Sequence, residues 1–99
     1  MDIKINSVHF DADARLLDFI NQKVSKLEQF SDDIISAEVF LRIENAQDME
    51  NKIAEIKLNM PGNGLFAKKQ SKSFEEAVDL SAEAVRKQIK KHKEKLRKT

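Results

Sequence analysis

The sequence predicts an α+β domain: a two-layer β-α-β-β-β-α sandwich, with a four-stranded sheet and two helices on one face. Three observations predict it. Four short runs alternate apolar and polar residues with period 2. Two longer runs repeat apolar residues with period 3.6. The chain has 99 residues, 40% of them hydrophobic, enough for one core and too few for a second. We therefore expect a single domain over residues 1–99.

The elements follow in order. In "DIKINSV", Ile3 and Ile5 point one way and Lys4 and Asn6 the other, as in a strand. Asp11 or Asp13 then supplies a helix cap. From about residue 14 to 30, Leu16, Ile20, Val24 and Leu27 share a face, until "SDD" breaks the period at residues 31–33. "SAEVFLRIE" places Ala37, Val39, Leu41 and Ile43 together. "KIAEIKLNM" does the same for Ala54, Ile56, Leu58 and Met60. The polar turn between these two runs, "NAQDMENK", is short enough to make them an antiparallel hairpin. "MPGNG" holds the only proline and both glycines, the strongest turn signal in the chain, and "LFAKK" is the fourth strand. "SFEE" opens the last helix as a capping box, with Ser73 as N-cap and Glu76 at N3. Its buried stripe is Val78, Ala82, Val85, Ile89 and Leu96.

Several chemistries lack the residues they need. No cysteine is present, so neither disulfides nor thiolates contribute, which suits a reducing, cytoplasmic setting. His9 and His92 are far apart in sequence and do not make a metal cluster. There is no nucleophile elbow, Walker loop or dinucleotide fingerprint. "GNG" at residues 62–64 lies between two strands and lacks the Lys-Ser/Thr of a phosphate loop, so it reads as a hairpin turn. The carboxylates look like caps and strand-surface charges. We expect no catalytic residue, cofactor, metal or small-molecule substrate. The first residues lack the basic-then-apolar pattern of a leader, and no apolar stretch reaches the roughly 18 residues of a membrane span, so no membrane partner is expected.

Charge is the informative property. The net charge of +1 conceals −6 over residues 1–85 and +7 over residues 86–99. Such a separation points to a polyanion or an acidic surface as partner; the alternative is a solvated helix end whose cations complement the helix dipole. On the last helix, Lys87, Lys91 and Lys98 lie opposite the core stripe, with Arg86, Lys90, Lys93 and Arg97 on one flank. The first helix carries a weaker row, Arg15, Phe19, Lys23 and Lys26. Both helices cover one face of the sheet in this layout, so their cations could form one field, extended by Lys68, Lys69 and Lys72. Helix-borne cations of this kind bind a phosphate backbone without reading sequence, as in recognition of double-stranded RNA by shape. Taken alone, the first-helix row also reads as a solvated face. With no Trp or Tyr, and most of the six Phe at core-compatible positions, single-strand stacking is the weaker mode. Phe19 and Phe40 are the exceptions.

"KVSKLEQF" at residues 23–30, "MPGNGLFA" at 60–67 and "RKQIKKHKEKLRK" at 86–98 together resemble the ribosome hibernation-promoting factors. These are the short form of the ribosome-associated translation inhibitor family, also labelled sigma-54 modulation proteins. The resemblance spans essentially the whole chain. It implies a fold similar to a double-stranded RNA-binding domain. It also implies binding to the small ribosomal subunit and its 16S-type rRNA, in the channel for messenger and transfer RNA, with translation inhibited sterically in stationary or stressed cells. By the resemblance, Lys23 and Lys26 match basic positions of the first helix, and Lys87, Lys91, Lys93 and Lys95 match basic positions of the second. Leu17 and Ala84 stand where the family often has a cation, and Glu75 replaces an aromatic. The dimerisation domain of long members is not expected here. Two other functions stay open: a general structured-RNA binder, and a protein-interaction module that modulates transcription.

Overall fold

The computed structural model describes residues 1–44, 50–62 and 64–97, with side chains described through Glu94. The order is β1 (Asp2–Ser7), α1 (Ala14–Ser25), a 3-10 turn (Lys26–Phe30), β2 (Ser36–Ile43), β3 (Lys52–Asn59), β4 (Leu65–Ser71) and α2 (Phe74–Arg97). This is the expected β-α-β-β-β-α layout. The first five residues of the "NAQDMENK" turn, 45–49, lie outside the described residues, as do Asn63 and the side chain of Leu96.

The four strands form one sheet in the order β1-β2-β3-β4. β1 runs parallel to β2, because α1 intervenes and returns the chain to the same end. β2–β3 and β3–β4 are antiparallel. The register aligns Ile5, Val39, Ile56 and Ala67 in one row across the inner face. Val39, Leu41, Ile56 and Leu58 are completely buried there. The helices supply the other layer: Ile20 and Val24 from α1, Leu27 from the 3-10 turn, and Val78, Val85 and Ile89 from α2.

Local chemistry starts and stops these elements as the sequence requires. Of the two possible caps for α1, Asp13 is the one used: the Leu16 N–H donates to its Oδ1 at 2.8 Å. The Glu76 N–H donates to Ser73 Oγ at 3.1 Å, at the start of α2. The long amphipathic run over 14–30 is not one helix. It tightens to a 3-10 turn at Lys26, and the backbone then becomes extended at Ser31. In the β3–β4 turn, Gly62 has φ +87, which side-chain-bearing residues rarely adopt. A Cβ on Gly64 would lie 2.8 Å from the Leu58 carbonyl oxygen.

The outer face of the sheet is mostly polar, with Phe40, Ile53 and Phe66 as its apolar members. Of these only Ile53 is fully buried, flanked in register by Arg42 and Gln70. Arg42 is held over the face by Glu55, 2.7 Å away. The edge strand β4 is sealed by a side chain: Gln88 of α2 donates to the Phe66 carbonyl at 2.8 Å and accepts its N–H at 3.3 Å. An amide thus stands in for a neighbouring strand, which fixes α2 along the sheet edge.

Candidate nucleic-acid interface

The two halves of α2 differ in sequence and in surroundings. Glu75, Glu76, Asp79 and Glu83 lie in the first half, and every charged residue from Arg86 to Lys93 is basic. The inner stripe ends, among the described side chains, at Ile89, which is 1% exposed. Around that anchor the cations sort into two rows. Arg86, Lys90 and Lys93 border a groove shared with Gln29, Phe30 and Ile89. Lys87 and Lys91 border a second groove, floored by Leu80 and Ala84, that Lys69 of β4 joins. The spacing of three or four residues within each row keeps successive cations on one side of the helix, about 4.5–6 Å apart along its axis.

The two helices run in the same direction: Lys23 pairs with Asp79, and Phe30 meets Arg86 further along both. This decides which first-helix cations can join the second. Lys23 and Lys26 share a groove with Arg86. Arg15 does not; it lies 11 residues before Lys26, about 16 Å back along the helix axis, towards the acidic start of α2. The stacked rings of Phe10 and Phe74, with centroids 4.8 Å apart, mark that end. Lys68 is on the outer face of the sheet, opposite Glu55 in register, so of the β4 lysines only Lys69 lines a groove with the α2 cations.

The cations are also unequal in how far acids neutralise them. Lys23 Nζ is 2.9 Å from Asp79 Oδ1 and 5.6 Å from the centroid of the Phe19 ring. Arg86 is held by Glu83 through two bonds, one of them Nε to Oε2 at 3.0 Å. The hydrogen bonding holds the Glu83 carboxyl below the usual carboxylate range, and it raises Arg86 in turn. Among the described residues, no carboxylate is within ion-pair distance of Lys26, Lys87, Lys90, Lys91 or Lys93. These are the cations available to an external anion. The side chains of Lys95 and Arg97, and all of Lys98, lie outside the described residues.

The aromatic residues differ from expectation. Phe19 and Phe40, singled out from the sequence, are both half-buried. Phe30 and Phe66, taken as core-compatible, are instead exposed at 37% and 51%. Phe66 alternates with the inward-facing Leu65 and Ala67, a signal present in "LFAKK". Phe30 is the last residue of the 3-10 turn, and its ring faces Arg86 rather than the core. Among the described residues no helix is long and apolar enough to cross a membrane, and no three His, Cys, Asp or Glu residues converge to hold a metal.

Fold and site together define an α+β domain that carries a helix-borne cationic surface at one end of its core. The chain belongs to the family described as Sigma 54 modulation protein / S30EA ribosomal protein, whose profile matches residues 3–97. It is 32% identical over 95 residues to a ribosome hibernation promoting factor of Azotobacter vinelandii, covering 96% of this chain and 85% of that protein. It is 28% identical over 95 residues to the ribosome hibernation promoting factor of Pseudomonas putida, covering 96% and 89%. The N-terminal domain of Thermus thermophilus Protein Y has the same fold: the TM-score is 0.79 at 20% identity, over 93% of this chain and 99% of that one.

Proposed function

We propose that this chain is a ribosome hibernation factor that binds the rRNA of the small subunit in the channel for messenger and transfer RNA. It blocks translation by occupancy and catalyses nothing. It acts in the cytoplasm of stationary or stressed cells. The observation that carries the proposal is the set of lysines on α2, Lys87, Lys90, Lys91 and Lys93, with no carboxylate among the described residues in ion-pair reach. Family membership and the hibernation factors among its relatives support the choice of the ribosome as the polyanion.

The physics is charge neutralisation. Each lysine that contacts a phosphate releases condensed counterions, so binding weakens as salt rises, with about 0.9 in log–log slope per contact on duplex DNA and somewhat less on single strands. Such contacts set position and register without reading bases. A rigid helix suits the task, because Ile89, Val85 and Gln88 fix it to the sheet while the opposite side stays open.

Lys87→Glu combined with Lys91→Glu tests the proposal. Both residues are exposed, so the fold is expected to survive with an unchanged far-ultraviolet spectrum. Co-sedimentation with small subunits is expected to vanish. The milder Lys87→Ala/Lys91→Ala variant is expected to lower the salt slope by roughly 1.5–2. A folded double-Glu variant that binds like the parent would contradict the assignment of this face. Binding that survives nuclease treatment of the partner would point to an acidic protein surface instead.

A further inference from the structure

We infer that the groove between the 3-10 turn and α2 is a binding site for one unstacked RNA base, with Phe30 as its stacking plate. The inference rests on the ribosomal RNA reading above and adds a subsite to it. Phosphate contacts on α2 need no aromatic residue, and this groove has one in the open.

The groove is about 340 Å³ and is lined by Gln29, Phe30, Arg86, Ile89, Lys90 and Lys93. Each lining residue supplies a feature that base recognition uses. Ile89, 1% exposed, is an apolar floor. Phe30, 37% exposed, offers a planar ring at the wall. The guanidinium carbon of Arg86 is 5.8 Å from the centroid of that ring, within cation–π range, so one aromatic and one guanidinium plane meet at the groove. Glu83 holds that guanidinium by its Nε and a terminal nitrogen, which fixes the plane before any ligand arrives. Gln29 carries an amide with both donors and an acceptor, the complement of a base edge. Lys90 and Lys93 continue the rim, about 6 and 10 Å beyond Arg86 along the helix, where phosphates flanking the base would lie.

This combination separates Phe30 from the other exposed ring. Phe66 is on the outer face of the sheet, opposite Lys57 in register and away from the α2 rows. RNA is the occupant because the apolar floor and plates are bordered by lysines without carboxylate partners among the described residues, and because splayed bases of structured RNA stack on Phe and Arg planes.

The test uses two RNA hairpins of equal length, one fully paired and one with a single bulged 2-aminopurine, together with purified small subunits. The parent protein is expected to prefer the bulged hairpin by about 5- to 150-fold, the range base–aromatic stacking supplies. It is also expected to change the 2-aminopurine fluorescence. Phe30→Leu keeps an apolar side chain and is expected to lose both effects while retaining the affinity for paired RNA. Phe30→Tyr is expected to restore them. If Phe30→Leu discriminates as the parent does, or if the parent shows no preference, the base site is overturned and the phosphate-binding reading stands. If Phe30→Leu weakens binding to subunits but not to bulged RNA, the groove holds a protein side chain and the inference is likewise overturned. If the parent binds neither hairpins nor subunits, both the base site and the function proposed above fall.

Discussion

Ile89 holds the start of the basic half of α2 to the sheet. It is 1% exposed, and the cations of both rows surround it in sequence. Ile89→Asp would bury a carboxylate with no partner, at a cost of several kcal/mol. That is comparable to the whole stability of a domain this size, about 5–15 kcal/mol. Loss of the cooperative thermal transition in circular dichroism is the expected result, and a parent-like transition would contradict the packing. Ser81 makes a finer case. It is fully buried between α2 and β3, and its Oγ donates to the Ala54 carbonyl at 2.9 Å. Ser81→Ala is expected to cost about 1 kcal/mol, or roughly 4–8 °C in Tm. At this scale the sequence was legible where one period ruled. Val78, Ala82, Val85 and Ile89 are all buried as the 3.6 repeat requires. It was less legible where two rules compete. Ile53 has the outward phase of β3 yet is fully buried, because long neighbours in register flank it and no single-strand pattern reports them. Phe30 lies in line with Leu27 by 3-10 spacing, but the turn ends there and the ring meets α2 instead of the core.

Elements are held by a few directional contacts on top of the core. Across the seam between α1 and α2, Lys23 pairs with Asp79; beside it, within α2, Arg86 pairs with Glu83. Both pairs are largely exposed, so their effect is on geometry more than on stability. Glu83 makes the pair within α2 measurable. Hydrogen bonding to Arg86 holds its carboxyl below the ordinary value of 4.5. A depressed native value means the pairing contributes fully above the unfolded pKa and is lost as pH falls through the native one. The expected outcome in a carboxyl NMR titration is a Glu83 midpoint below 4.5 that moves up in Arg86→Met; an unmoved midpoint would contradict the pairing. Strand and helix identities were readable from alternation, caps and the "MPGNG" turn. The division of the 14–30 run into an α-helix and a 3-10 turn was not. Val24 and Leu27 are three residues apart, a spacing that suits both helix types, so the apolar pattern carries no mark of the change at Lys26.

The whole molecule is a charge-separated rod on a sheet. Its extents are 47 × 25 × 18 Å, and α2 alone, at 24 residues, is about 36 Å long. The separation of charge along the chain becomes a separation in space because α2 is one uninterrupted helix. This part of the candidate site was legible early, since charge counting needs no fold. What counting could not show is direction: only the parallel course of the helices leaves Arg15 at the acidic end while Lys26 joins Arg86. The function proposed above puts the cationic end of α2 in the path of messenger and transfer RNA on the small subunit. Co-sedimentation with purified small subunits, in the presence and absence of messenger and initiator transfer RNA, tests it most directly. Salt-sensitive binding that the two RNAs together displace is the expected result. Binding indifferent to both RNAs, or no binding at physiological salt, would contradict it.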